Sequence, residues 1–578
     1  MKIKGRLHRA VGHAVAAVSI GVAGACLASS AWARPAMPWP AYVAQFQQQY
    51  FVAHPEFAVY MGRHEFDGRL PDWSAHGIAN EIARLTRERR RAAAYLDAAL
   101  SPRQRFERDY LLARIDGDLF WMREARAPFL NPAYYQWSLD PAVYLKRPYA
   151  PLAARMKAFT AYASAIPKAV AQIGANLQAP MPKTFVALGI DTFSGYASFF
   201  RDVVPTVFAE VHDTQLQGRL AAALAPAAAA MAGLSDRLRA EQARADDNFA
   251  LGPEKFAAML RMTERVETPL DELEAIGRAD LKRNLDALAE ACAAYAPGLD
   301  LKSCVDRVNA DKPTGGAVEG ARAQLAVLRA FIVYKDLVTI PGKEVAEVAE
   351  APEYQRWNFA YIDIPGPFEK GMPSVYNIAP PDPKWSRDEQ LAYTPGKSVL
   401  MFVSAHEVWP GHFVQFLHAN RSRSEFGRVF VGYAYAEGWA HYAEELMWEA
   451  GLGEGAPEVH IGQLIEALLR NVRLVCAIGM HTRGMSVDEC ATLFREQAFS
   501  DPAGARQQAA RGTFDPAYLN YTLGKLLIRQ LREDWTSSRG DRTAWKAFHD
   551  AFLSYGGPPI PQVREQMLAR PERERLGR

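Results

Sequence analysis

The residues best suited to chemistry concentrate in Ser404 to Phe413, SAHEVWPGHF, which carries His406, Glu407 and His412. In a His-Glu-x-x-His zinc site the imidazoles sit four residues apart on one helix face, and the Glu beside the first His activates water at the metal. Here the histidines are six residues apart. On an unbroken helix six residues turn through about 600°, which leaves the two side chains roughly 120° apart and unable to share an ion. Pro410-Gly411 lies inside that interval. Proline removes a helical hydrogen bond and glycine tolerates unusual dihedrals, so the sequence predicts a break that returns His412 to the face of His406.

A third ligand is expected from the next helix, at Glu437 in EGWAHYAE, 25 residues after His412. Glu444, two turns further along the same face, is expected to orient a His ligand, and His441 is an alternative ligand. Two His and one carboxylate with a free Glu alongside suit one Zn²⁺ acting as a Lewis acid, although the same ligand types also hold non-haem iron. A zinc hydrolase further needs donors for the oxyanion of its tetrahedral intermediate, and Tyr521 and Tyr518 are the expected phenols. Arg473, Arg511 and His481 are candidates to bind a substrate carboxylate or steady the intermediate.

Such a constellation needs rigid elements, and most of the chain has helical periodicity. Ala79 to Leu100, Pro151 to Gln178, Leu216 to Ala245 and Leu270 to Tyr295 are Ala/Leu/Arg/Glu-rich. Ser101-Pro102 opens a further helix to Ala125, and Ser486 to Glu489 is a capping box before Cys490 to Gln497. The alanine run Ala221 to Ala232 is interrupted by Pro226 and is expected to form a packed helix pair. Ala360 to Pro383 differs: alternating apolar residues among prolines and glycines predict a small antiparallel sheet or hairpin. Its Ala360 to Ile378 part is expected to align an extended peptide by edge pairing. The charged tail from Arg570 is expected to fray.

The 578 residues are 49% apolar and 23% charged, which excludes disorder as the main state. Lys plus Arg (67) nearly balances Asp plus Glu (65), so no general attraction to nucleic acid or anionic lipid is expected. Residues 1–33 carry a basic start, an apolar run from Ala14 to Ala28 and Ala31-Trp32-Ala33, the pattern of a cleaved secretory signal. The mature chain is then expected to be periplasmic, with no stable membrane span. Lipid anchoring at Cys26 is not expected, because the branched apolar residue usual three places earlier is missing. In an oxidising compartment the remaining cysteines permit local disulfides, Cys292 with Cys304 and Cys476 with Cys490, although buried free thiols are the alternative. Residues 34–578 are expected to form one helical domain, with a possible division into lobes near 34–340 and 341–578.

At the motif residues the chain resembles the bacterial family called domain of unknown function 885. The family's HE-x-x-PGH and EGWA-x-Y-x-E patterns are matched by His406 to His412 and Glu437 to Glu444. Family-like stretches also occur at Gly62 to Asp67, Pro365 to Lys370, Ile478 to Gly484 and Arg511 to Lys525. More distantly it is similar to helical zinc peptidases of the thimet-oligopeptidase and thermostable-carboxypeptidase types. Their second His is followed at about this distance by a ligand Glu with another Glu seven residues later, and C-terminal tyrosines lie over the scissile carbonyl. The departure is the Pro-Gly expansion of the His motif. The resemblance implies a mainly α, zincin-like metallopeptidase architecture with a small antiparallel β-element beside the cleft. It implies an exported zinc hydrolase of short peptides, carboxypeptidase- or oligopeptidase-like, with Glu407 as general base. A zinc amidase or deacylase on a non-peptide amide would use the same residues, and a non-catalytic peptide-binding protein would not need Glu407.

Overall fold

The computed structural model describes residues 37–351, 356 and 359–568. The signal-like segment with Cys26 and the tail from Arg570 lie outside the described residues. Helices follow where the sequence pattern places them. Leu270–Tyr295 has the expected bounds, and Pro151 to Gln178 becomes Leu152–Asn176. Ala79 to Leu100 becomes Ala75–Ala93 followed by a single 3₁₀ turn. Ser101 with Gln104, and Ser486 with Glu489, close reciprocal caps that satisfy free amides at the two helix starts.

The expected pair of helices around Pro226 is one unbroken helix, Thr214–Glu241. Pro226 and Ala222, whose carbonyl it frees, lie on the exposed side, so water can replace the lost hydrogen bond. Leu220, Ala223, Leu224, Ala227, Met231 and Leu234 form the buried face, packed on Leu152–Asn176 and Lys183–Ser198. It is the one helix among the described residues long and apolar enough to cross a membrane, by length and composition alone.

The small sheet has three strands in the order β1 (Ala346–Glu350), β3 (Ser374–Ile378), β2 (Ala360–Asp363). The β2–β3 pair is antiparallel as expected, but β1 was not foreseen and pairs parallel to β3, making the sheet mixed. With β3 hydrogen-bonded on both sides, Ser374 to Ile378 offers no edge to a peptide. The sheet lies against the helix Lys397–Glu407, which carries His406 and Glu407.

Two apolar cores organise the helices. One gathers residues from Trp39 to Leu238 together with Phe426, Val429 and Phe430. The other runs from Phe256 to Val563 and takes in Phe120. Apart from Phe120 and the Phe426 to Phe430 segment, the two cores change over between Leu238 and Phe256. Leu270–Tyr295 packs along Pro457–Thr482, inside the core that holds the metal motif. Cys292 is joined to Cys304, and Cys476 to Cys490. Behind the motif, Lys525 has no exposed surface and pairs with Asp280 (2.7 Å) and Glu445 (3.1 Å), cross-linking three helices.

Candidate metal centre

The helix Lys397–Glu407 ends at Glu407 and a second, His412–Ala419, starts at His412. Between them the chain folds back on the first helix: the Gly411 amide donates to the Ala405 carbonyl at 2.9 Å. A Cβ on Gly411 would lie 1.7 Å from the His406 carbonyl oxygen, so only glycine permits this approach. The Trp409–Pro410 bond is cis, and the Trp439 indole donates to the Pro410 carbonyl at 2.9 Å, tying the turn to the next helix. The result brings the two imidazole rings to 4.8 Å between centroids, nearly perpendicular.

Glu437 comes from Tyr433–Glu449. The segment before it is seated in the first core by Phe426, Val429 and Phe430, and the Tyr110 hydroxyl donates to the Phe430 carbonyl. On its other side Gly438 faces Gly524 with backbones so close that a Cβ at either would clash, which lets Asn520–Thr536 bring Tyr521 up to the site. Ligand atoms of His406, His412 and Glu437 lie within 4.8 Å of one another. Glu437 Oε2 is 3.3 Å from His406 Nε2 and 3.4 Å from His412 Nε2. It is nevertheless buried without a well-directed hydrogen bond. Two atoms each 2.0–2.1 Å from a tetrahedral ion stand about 3.3–3.4 Å apart, which is the spacing of Glu437 Oε2 from each imidazole nitrogen.

Glu444 is fully buried and accepts from His406 Nδ1 (2.6 Å) and His441 Nδ1 (3.1 Å), with Arg470 at 3.3 Å. Burial alone would raise its pKa, but Arg470 and His441 hold it well below the usual carboxylate range. This fixes His406 with Nε2 toward Glu437. Burial would likewise lower the pKa of His406, yet Glu437 and Glu444 push it up to about 9. A metal bound at Nε2 would compete with a proton there. His441, an alternative ligand by sequence, turns to Glu444 instead, and burial lowers its pKa to about 4.

Glu407 is buried beside the triad, its pKa raised by that burial. Among the described residues nothing hydrogen-bonds its carboxyl, which leaves it free to take a proton. Tyr521 stacks on His406 at 6.2 Å, and burial followed by Glu437 raises its phenol pKa, keeping it a donor. Tyr518 is placed differently: its hydroxyl is buried without a partner against Gly512. Arg473 and Arg511 stand over the Tyr521 ring at 4.6 and 5.8 Å. His481 is not available to substrate. Its Nε2 donates to the Gly512 carbonyl (2.8 Å), its Nδ1 accepts from the Leu251 amide (3.2 Å), and burial holds its pKa near 4. Packing against Phe249 and Phe256 completes a structural role for it.

Two site residues escaped the sequence reading. Arg470 stands over Tyr521 at 5.9 Å, and Glu466 four residues earlier on the same helix was the available signal. Tyr433, one turn before Glu437, accepts from Arg511 and donates to Asp515; its i−4 position was the signal.

No curated protein matches the chain. A candidate lipoprotein of unknown function from Shewanella oneidensis superposes with a TM-score of 0.76 at 22% identity, covering 92% of this chain and all of the other. A candidate lipoprotein from Colwellia psychrerythraea gives 0.76 at 18% identity over 92% of this chain and 98% of its own. These likenesses establish the shared fold. Cys26 of this chain lies outside the described residues. A candidate oligoendopeptidase F from Bacillus anthracis reaches only 0.28 at 12% identity, too low to carry a shared architecture. The family model described as bacterial protein of unknown function (DUF885) matches residues 55–567, and the chain belongs to that family.

Proposed function

We propose that the protein is an exported zinc-dependent hydrolase that cleaves amide bonds of short peptides. The observation that carries this reading is the unsatisfied Glu437 oxygen, 3.3 and 3.4 Å from two imidazole nitrogens, with Glu407 unpaired beside it. His406, His412 and Glu437 would hold the ion, and Glu444 with Arg470 would hold His406. A bound zinc supplies Lewis-acid polarisation of a carbonyl and acidifies water. Glu407 accepts the proton of the attacking water and delivers it to the leaving nitrogen, a task that burial favours by raising its pKa. The Tyr521 phenol donates to the oxyanion. Tyr518, with its hydroxyl buried against Gly512, is given no part in this step. The recessed triad, with His406 only 5% exposed, favours short chains over folded proteins.

The test is digestion of a peptide library by wild type and Glu407→Gln at equal zinc content. Loss of cleavage by a factor of about 100 or more in the Gln variant supports the reading; equal cleavage overturns it. Residues 1–33 would direct export. The description of both neighbours as lipoproteins favours anchoring through Cys26, and the mass of the mature N-terminus separates a lipidated cysteine from cleavage after Ala33.

A further inference from the structure

Helix Pro457–Thr482 sends two arginines, Arg470 and Arg473, toward Tyr521, and Arg511 reaches the same ring from Pro502–Phe514. Three guanidinium groups thus converge on one phenol beside a metal triad. Two are neutralised. Arg470 pairs with Glu444 and Glu466, and Arg511 with Asp515 at 3.0 Å. Arg473 is only 6% exposed, and its one hydrogen bond is from Nε to Gln508 Oε1 at 2.9 Å. Among the described residues no carboxylate pairs with it, and its Nη atoms make no hydrogen bond while keeping slight solvent access. An unpaired buried charge is costly, and the Tyr521 ring compensates only in part. Burial and Arg511 depress the Arg473 pKa, the expected sign for a cation short of an anion.

We propose that Arg473 receives the C-terminal carboxylate of the substrate, so that the enzyme removes one or two residues from the free C-terminus of short peptides. The proposal rests on the hydrolase reading above. A guanidinium fork matches a carboxylate in two parallel hydrogen bonds, and the unbonded Nη atoms are the pair that would make them. The spacing agrees. Arg473 lies 4.6 Å from the centre of the Tyr521 ring, and the His406 ring lies 6.2 Å from the same centre. Each peptide residue spans about 3.3–3.6 Å, so these distances put Arg473 within a few residues at most of a carbonyl held beside His406. Water adds across that last or penultimate amide: its oxygen joins the carbonyl carbon, the C–N bond breaks, and Glu407 carries the proton to the departing amine. The products are a shortened peptide acid and a free amino acid or dipeptide. An acidic side chain of an internal residue offers Arg473 the same chemistry, so the experiment must separate the two.

The zinc-loaded full mature chain is given matched blocked peptides ending in a free acid or an amide, and an amide with Glu next to the last residue. Wild type should cleave the acid at least about 100-fold better in kcat/KM than the plain amide, releasing one or two residues. In Arg473→Gln the ratio should fall toward one, chiefly through KM, while Arg473→Lys keeps part of it. Equal cleavage of acid and amide by wild type overturns the proposal and leaves the hydrolase reading standing; preference for the internal Glu amide also overturns it. If nothing is cleaved, the hydrolase reading fails, and titration of N-acetyl-phenylalanine against its amide decides the anion site. Preferential binding of the acid that weakens at least tenfold in Arg473→Gln supports Arg473 as receptor; acid and amide binding alike refutes it.

Discussion

Replacing Gly411 by alanine perturbs the geometry that brings two histidines six residues apart to one face, where the proposed ion would sit. A Cβ there would sit 1.7 Å from the His406 carbonyl oxygen, 2.4 Å from its carbon and 2.6 Å from the Ala405 oxygen. Non-bonded contact needs about 3 Å or more, so the turn must retreat by roughly 1.3 Å. All three neighbours are backbone atoms of the His406 helix, so no rotamer change relieves the clash. The retreat also breaks the Gly411 amide bond to the Ala405 carbonyl, which contributes about 1 kcal/mol. Metal–ligand distances tolerate only about 0.2 Å, so His412, the next residue, loses its place. Gly411→Ala should therefore weaken zinc binding by more than about 100-fold, beyond the effect of losing an outer partner. It should lower unfolding free energy by about 1–3 kcal/mol. Gly195, with open space around a built Cβ, is the control: Gly195→Ala should bind zinc like wild type and be as stable or slightly more so. Competition with a chromophoric chelator and urea unfolding read both quantities. Wild-type zinc affinity in Gly411→Ala would refute the geometric reasoning.

Glu444→Gln removes the charge that holds His406, His441 and Arg470. It should cut zinc affinity by about 10–100-fold and stability by about 3 kcal/mol or more, and a silent variant in both assays contradicts the positioning role. Burial alone would raise the Glu445 pKa, but Lys525, Arg283 and Arg529 hold it at about 2, and Asp280 is depressed by Lys525 and Arg283. Folded values below unfolded ones mean stabilisation that is complete above about pH 4 and lost as pH falls toward about 2. The urea midpoint should drop across that window, less steeply in Lys525→Met; a flat profile rules the network out. Cys292→Ala/Cys304→Ala opens a crosslink of separation 12 and should lower unfolding free energy by about 3 kcal/mol, whereas equal stability would deny the bridge a role.

Much of the site was legible because its logic is local. The six-residue spacing required a break, Pro410-Gly411 supplied it, and the i, i+7 relation of Glu437 and Glu444 set both carboxylates on the face toward His406. Helix bounds near caps were legible for the same reason. What was not legible depends on partners distant in sequence. Ala346–Glu350 is a weak strand former whose parallel pairing relies on the helix Gly316–Lys335 packed against it. The helix through Pro226 survives because that residue faces outward, which one sequence does not reveal. His481 and Arg473 share one helix. Backbone groups from Leu251 and Gly512 occupy the first, while no carboxylate reaches the second, and only the tertiary fold decides between them.

The central claim is that His406, His412 and Glu437 hold one zinc ion. Zinc analysis with X-ray absorption on the reconstituted mature protein tests it most directly. The expected result is one zinc per chain in a nitrogen and oxygen shell at about 2.0–2.1 Å without sulfur, and none in the His412→Ala/Glu437→Ala variant. A reconstituted wild type without bound zinc, or a double variant that keeps it, would contradict the account.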